Sequence, residues 1–228
     1  MLRVLIGGEA TRTIASAFEA RGHYVLTADF RPCQKGGNHH QGNWRDVWDQ
    51  GFDLAIFHHT CTNMANSGSK HIYRNGKKEN GLDEGRWIDL GRAAWQLWKE
   101  CEDCPVEVIA NENPVMLRYA QIMAELHKRD KWDFQSVQPW WFGTDPKGLD
   151  NVTKETCWWT TKGALPKLQK TGLLDGSTAR EEVFRMAPTK DPNERRMERS
   201  NFTPGHADAI ADQWGGAVEK RKAAKAAA

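Results

Sequence analysis

Apolar residues fall along this chain in short runs, separated by polar turns that glycine and proline mark. Leu2–Ile6, Tyr24–Ala28, Phe52–Phe57 and Val106–Ala110 are mainly apolar runs of strand length, each with one polar residue, and read as buried strands. Between them the period changes. Ile14, Ala17 and Phe18 share one helical face and Gly22 closes that segment, as glycine does just past a helix end. Trp87, Leu90, Ala94 and Leu97 predict a second helix over about 86–100, and Leu117, Ala120, Ile122, Met123 and Leu126 a third over about 115–128. Phe134–Gln138 and Thr156–Thr160 are further strands, and Pro204–Gly205 opens a last helix over about 206–214. Strands alternating with helices predict an α/β fold on a mostly parallel sheet. Residues 31–45, 62–85 and 161–200 lack periodicity and read as loops. The pattern supports one domain over 1–216, then a flexible basic tail over 217–228.

Composition narrows the class. A chain of 228 residues with 39% hydrophobic and 27% charged residues can bury one substantial core. Five scattered cysteines argue against a disulfide framework and for a reducing, cytoplasmic setting. No apolar run reaches membrane-spanning length. A net charge of +2 makes no global case for nucleic acid but leaves room for a basic face. Lys70, Arg74, Lys77 and Lys78 in one loop, and Arg195, Arg196 and Arg199 in another, are either solvated surface or phosphate contacts.

Chemistry-bearing residues gather where strands end. Phe52–Phe57 runs into His58, His59, Thr60 and Cys61; Val106–Ala110 runs into Asn111, Glu112, Asn113 and Pro114. In open parallel sheets ligands bind outside the carboxyl ends of the strands. If these two strands are neighbours, Cys61 and Glu112 face one cleft, where a thiol and a carboxyl can serve nucleophilic catalysis. Otherwise Cys61 is a small buried hydrophobe and Glu112 a loop residue. The first βαβ segment carries Gly7–Gly8 at its turn and Asp29 after the second strand. An acid there either accepts hydrogen bonds from ribose or is a plain turn residue. His39, His40, His58, His59 and Cys61 do not make a metal set, because adjacent strand residues point to opposite faces. Cys101-x-x-Cys104 reads as a helix end before Pro105.

In order, these motifs resemble the cytosine-C5 DNA methyltransferases, and more closely a small phage-type group related to them. The matching residues are Gly7–Gly8, Gly22–His23, Asp29, Thr60–Cys61–Thr62, Glu112–Asn113–Pro114, Gln138–Pro139–Trp140, Lys154-x-Thr156-x-Trp158 and Pro204 to Ala211. The resemblance implies a Rossmann-like methyltransferase fold with helices on both faces of the sheet. It implies S-adenosylmethionine over the first βαβ unit, at Gly7, Gly8, Glu9, Asp29, Phe30 and His58. It makes Cys61 the thiolate that adds to C6 of a pyrimidine and Glu112 the group that holds N3 and the exocyclic amine. His59 or Lys154 would supply the field that activates the thiol. DNA, or a pyrimidine nucleotide, is the implied substrate, with Lys70, Arg74, Arg195, Arg196 and Arg199 on its phosphates.

The chain departs from the family in four places. Its Pro-Pro-Cys is here His59–Thr60–Cys61, and its Phe-x-Gly-x-Gly is Ile6–Gly7–Gly8–Glu9–Ala10. A later Gln-x-Arg-x-Arg is missing, and residues 161–200 are too few for a large target-recognition domain. Target choice then falls to a single strand, a free nucleotide or a partner protein. Two alternatives keep the same residues. One is a pyrimidine-modifying enzyme with a different one-carbon or nucleotide partner. The other is a catalytically silent nucleotide- or DNA-binding module. In a phage-encoded protein the compartment would be the host cytoplasm.

Overall fold

A computed structural model describes residues 1–59, 61, 64–66, 72–128, 130–181 and 201–227. Seven strands form one sheet: β1 (Arg3–Gly7), β2 (Tyr24–Asp29), β3 (His39–Gln41), β4 (Leu54–His58), β5 (Ile109–Pro114), β6 (Trp132–Val137) and β7 (Thr156–Thr161). Their spatial order is β3-β2-β1-β4-β5-β7-β6. Neighbours from β3 through β5 pair parallel, and β7 runs antiparallel between β5 and β6. Helices α1 (Thr13–Glu19) and α4 (Pro204–Ala226) pack together on one face, while α2 (Glu84–Glu102) and α3 (Arg118–Met123) pack together on the other. The architecture is thus α/β and Rossmann-like, with the strand order reversing at β1, between β2 and β4.

Strand alternation divides the core in two. Val4, Ile6, Leu54, Ile56, Ala110 and Trp158 point toward α1 and α4. Leu5, Ala55, Phe57, Ile109 and Trp159 point toward α2 and α3. Two aromatic contacts anchor these layers: Trp158 meets Trp214 of α4 edge-on at 4.9 Å, and Trp98 of α2 meets Trp159 at 5.7 Å.

The elements depart from the sequence pattern in five places. Residues 31–45 contain the edge strand β3 and a short 3-10 turn at Trp44–Asp46. β3 has no apolar run because it pairs only with β2 and its side chains are half-buried or exposed. β5 begins at Ile109 rather than Val106 and continues through Glu112 to Pro114, because β4 and β7 pair with it on both sides. The helix after it is shorter than the apolar spacing predicts, and Ile122 and Met123 are half exposed. Trp87 likewise stands outside the buried stripe of α2. Finally, residues 217–226 are no flexible tail but the last turns of α4. Arg221 and Lys225 hold Glu107, and Lys222 holds Asp53 at 2.8 Å, so the basic residues dock the helix onto the loops that feed β4 and β5.

Candidate functional site

The site lies where β1, β4 and β5 end. In the β4–β5 register His58 stands beside Glu112. Both are even-numbered, so both project toward the α1/α4 side with Ile56 and Ala110. His58 Nδ1 lies 3.4 Å from Glu112 Oε2, and its buried Nε2 has no hydrogen-bond partner among the described residues. Two aromatic rings pack against His58. Phe202 sits 5.0 Å from the His58 ring and Trp158, paired in register with Glu112, sits 6.1 Å from it. Trp158 Nε1 donates to Nε2 of His206, in the first turn of α4, at 3.3 Å. Burial first, then the charges of Lys154 and His58, hold His206 down to a pKa of about 3. Lys154 extends over the Phe202 ring and donates to the Asn201 carbonyl at 2.8 Å. Lys154 therefore belongs to the pocket of His58 and Glu112.

Glycine and glutamate after β1 complete the floor. Gly8 has φ +81°, and a Cβ there would sit 2.3 Å from the His58 carbonyl oxygen. Only glycine therefore lets the turn after β1 cross the end of β4. A Cβ on Gly7 would meet Phe57 at 2.8 Å and Trp44 at 3.0 Å. The carboxylate of Glu9 accepts the backbone N–H of Ile14 (2.6 Å) and Ala15 (3.2 Å) and so caps α1. Burial raises its pKa, against the opposing charge of His58 and the two helix N–H groups. Glu9 is committed to the helix start, a role its position among polar turn residues did not reveal.

Beyond β2 the acid is bound by its own neighbour. Asp29 accepts the Arg31 backbone N–H (2.9 Å) and Nε (3.0 Å) at Oδ1, and Nη2 (2.7 Å) at Oδ2. Burial works to raise its pKa, but the hydrogen bonds and charge of Arg31 prevail and hold it below the usual carboxylate range. Asp29 is 9% exposed rather than facing solvent, although a carboxylate with three partners keeps acceptor capacity. Phe30, next to it, is 74% exposed. An exposed ring beside an acid at a strand end suits an adenosine moiety.

Cys61 is half-buried, and its carbonyl accepts the N–H groups of Met64 (2.9 Å) and Ala65 (3.0 Å). The chain after it runs beside the chain after β5: Leu117 N donates to Met64 O, Asn66 N to Val115 O, and Ala65 bridges Met116. Cys61 and Glu112 thus lie near the carboxyl ends of β4 and β5, whose following segments hydrogen-bond to each other.

His59 does not sit as the sequence suggested. Its Nε2 is 2.9 Å from Asn111 Oδ1 and 3.3 Å from Cys101 Sγ, toward the α2 side with Phe57 and Trp44. Burial lowers its pKa to about 4, so it carries no charge near neutrality with which to activate a thiol. Strand alternation is the cause: position 59 follows Ala55 and Phe57 into the other core. Cys101, in the last turn of α2, is itself fully buried, its pKa raised well above the thiol range by that burial. Asn113 is also fully buried, and neither atom of its amide has a partner among the described residues.

Of the proposed phosphate contacts, Arg74 is exposed in a 3-10 turn, Arg74–Gly76. Lys70, Arg195, Arg196 and Arg199 lie outside the described residues, as do Thr60 and Thr62. Sequence reasoning assigned no role to Phe202 or His206. The signal was weak: His206 sits in a Pro-Gly-His run at a helix start, and Phe202 in a polar stretch. Among the described residues no three His, Cys, Asp or Glu side chains converge as a metal set would, and no helix is long and apolar enough to cross a membrane.

No protein-family model matches the chain, and no curated protein is similar to it. Among solved structures, it is similar to a candidate DNA modification methyltransferase encoded within a prophage of E. coli, with a TM-score of 0.43 and 10% identity. The match covers 70% of this chain and 46% of that one, so this chain spans less than half of that protein's length.

Proposed function

We propose that the protein is an S-adenosylmethionine-dependent pyrimidine-C5 methyltransferase acting on DNA or a nucleotide. The observation that carries this reading is that Glu112 of β5 stands in register beside His58 at the end of β4, and that Cys61 follows three residues later on a chain whose next residues, Met64 and Asn66, hydrogen-bond to the segment after β5. The chemistry needs both. A pyrimidine C5 is a poor nucleophile until a thiolate adds at C6 and makes it enamine-like. Cys61 provides that sulfur, while Glu112 holds N3 and the exocyclic amine. The cofactor, when bound, supplies an electrophilic methyl group. Phe30 and Asp29 are the residues placed to hold its adenosine. Once C5 carries the methyl group, solvent takes the C5 proton, and the C5–H electron pair re-forms the C5–C6 double bond and expels the Cys61 sulfur as thiolate. Lys154 adds positive charge to the pocket, and His59 has no part. Target phosphates fall to Lys70, Arg74, Arg195, Arg196 and Arg199, and a partner protein supplies sequence choice where this short chain has no domain for it.

A DNA oligonucleotide containing 5-fluorocytosine tests the reading, because fluorine cannot leave as a proton does. With the methyl donor present, mass spectrometry should find a covalent adduct on Cys61 and on no other cysteine. An adduct elsewhere, or none with DNA or nucleotide, refutes it. A second reading, binding without methyl transfer, draws on Gly7 and Gly8, whose open sides are filled by Phe57, Trp44 and His58. Calorimetry separates the two. Under the first, S-adenosylmethionine binds, and Phe30→Ala weakens it roughly tenfold, the loss of one stacked aromatic contact of about 1–1.5 kcal/mol. Asp29→Ala should weaken it as well, and it also frees Arg31. Under the second, no heat is seen with S-adenosylmethionine although nucleic acid binds. If the basic residues meet phosphate, DNA affinity should fall steeply with salt, and Arg74→Ala should reduce that slope by about one. A slope near zero would assign the site to a mononucleotide.

A further inference from the structure

Helix α2 has a second, outward stripe that neither the core nor the site uses. Glu84, Ile88, Arg92, Trp95 and Lys99 recur every three or four residues, and all five are exposed. At a helical 100° per residue they fall within a strip roughly 80° wide. Ile88 is 50% and Trp95 54% exposed, unusually high for residues of this size. Alongside, an apolar groove of about 320 Å³ continues the strip through Trp87, Tyr119 and Met123. Patches of this kind mark interaction surfaces.

The order of residues along the stripe says what fits it. From its N-terminal end it is acid, aliphatic, Arg92, aromatic, base, and from the other end the apolar positions keep their places while the terminal charges exchange sign. Laid antiparallel against a second α2 about a two-fold axis between positions 91 and 92, Glu84 meets the partner's Lys99. Ile88 meets the partner's Trp95. Each pairing occurs twice, as an isologous interface requires. A parallel arrangement would set Glu84 on the partner's Glu84. We propose that α2 is a homodimer interface, with a second copy of this chain as its occupant. The charges choose the antiparallel orientation and the apolar pairs supply the burial. Arg92 lies near the axis, so the two copies' guanidinium groups approach each other there and the charge pairing rests on Glu84 and Lys99. An apolar groove whose lining carries one charged side chain, Arg92, suits a protein surface better than a nucleic-acid backbone.

Sedimentation equilibrium of the full chain tests this directly. The wild type should be a reversible dimer. Glu84→Lys or Lys99→Glu alone should each raise the dissociation constant roughly tenfold or more, since each change acts twice and turns attraction into repulsion. The double exchange, Glu84→Lys with Lys99→Glu, should restore the wild-type value to within about threefold, because the pairs re-form with their signs reversed. Trp95→Glu should leave a monomer. Circular dichroism of each variant controls for folding, and all substituted positions are exposed. A wild type that stays monomeric up to high micromolar concentration overturns the proposal. So does a dimer that ignores the single charge reversals, or one that the double exchange fails to restore.

Discussion

If Cys61 is the nucleophile of the proposed reaction, serine at position 61 is expected to lower methyl transfer by at least about a thousandfold, a barrier increase of roughly 4 kcal/mol. The change is small in volume, and the backbone turn that Cys61 makes with Met64 and Ala65 does not need sulfur. What is lost is the nucleophile. A thiol near neutrality supplies some thiolate, whereas a serine hydroxyl, with a far higher pKa, supplies essentially no alkoxide. His59 cannot serve it as a base, since its ring is tied to Asn111 and Cys101. S-adenosylmethionine affinity should stay within about twofold, because the thiol acts on the pyrimidine. Glu112→Gln should cost less than Cys61→Ser. It keeps an acceptor and gains a donor, but loses the charge that faces His58. Equal turnover by wild type and Cys61→Ser in a radiolabelled methyl-transfer assay would remove the covalent mechanism.

Much of the frame could be read from residue order. β1, β2 and β4 carry mainly apolar runs because they lie inside the sheet with a helix layer on each side, and such strands have no polar face to show. The same pattern fails at β5, where half the strand is Asn111, Glu112 and Asn113. Those residues are in the sheet because two neighbours satisfy their backbone, and nothing local reports that. The end of α4 was hidden for the same reason. A run of lysine and alanine looks like a free tail until Asp53 and Glu107, more than a hundred residues earlier, are brought alongside it. At the site, alternation correctly sent His58 and His59 to opposite faces. It could not say which face held Glu112 until the β4–β5 register was known. Cys101 entering the environment of His59, and His206 entering that of Trp158, are contacts between distant segments with no local signature.

The two buried histidines predict acid lability. His59 is held to about 4 and His206 to about 3, in both cases by burial first. In the unfolded chain each titrates near 6.5. A base whose folded pKa lies below its unfolded one stays neutral in the fold while the unfolded chain takes up its proton. Stability is therefore fully present above about pH 6.5 and is lost as pH falls toward 4 and then 3. At pH 4 His206 alone has lost about 3 kcal/mol, and His59, which retains some exposure, somewhat less. The geometry agrees. His206 Nε2 accepts from Trp158, so a proton there breaks that bond and places a cation beside Lys154 and His58. Glu9 works in the opposite sense, since burial raises its pKa and the fold takes up its proton more readily than the unfolded chain does. His23, lowered chiefly by burial, and the carboxyls of Asp29 and Glu107, held low by their Arg and Lys partners, act in the same sense as His59 and His206, so the balance against Glu9 is a net loss. Urea unfolding measured from about pH 7.5 to 4.5 should show a midpoint nearly flat above pH 6.5 and falling below it. His206→Gln lowers stability at neutral pH by disturbing a packed site, yet it should flatten the acid slope by about one proton, which a merely structural role for His206 would leave unchanged. An equally steep slope in that variant would show that His206 does not titrate on unfolding and that the acid dependence arises elsewhere.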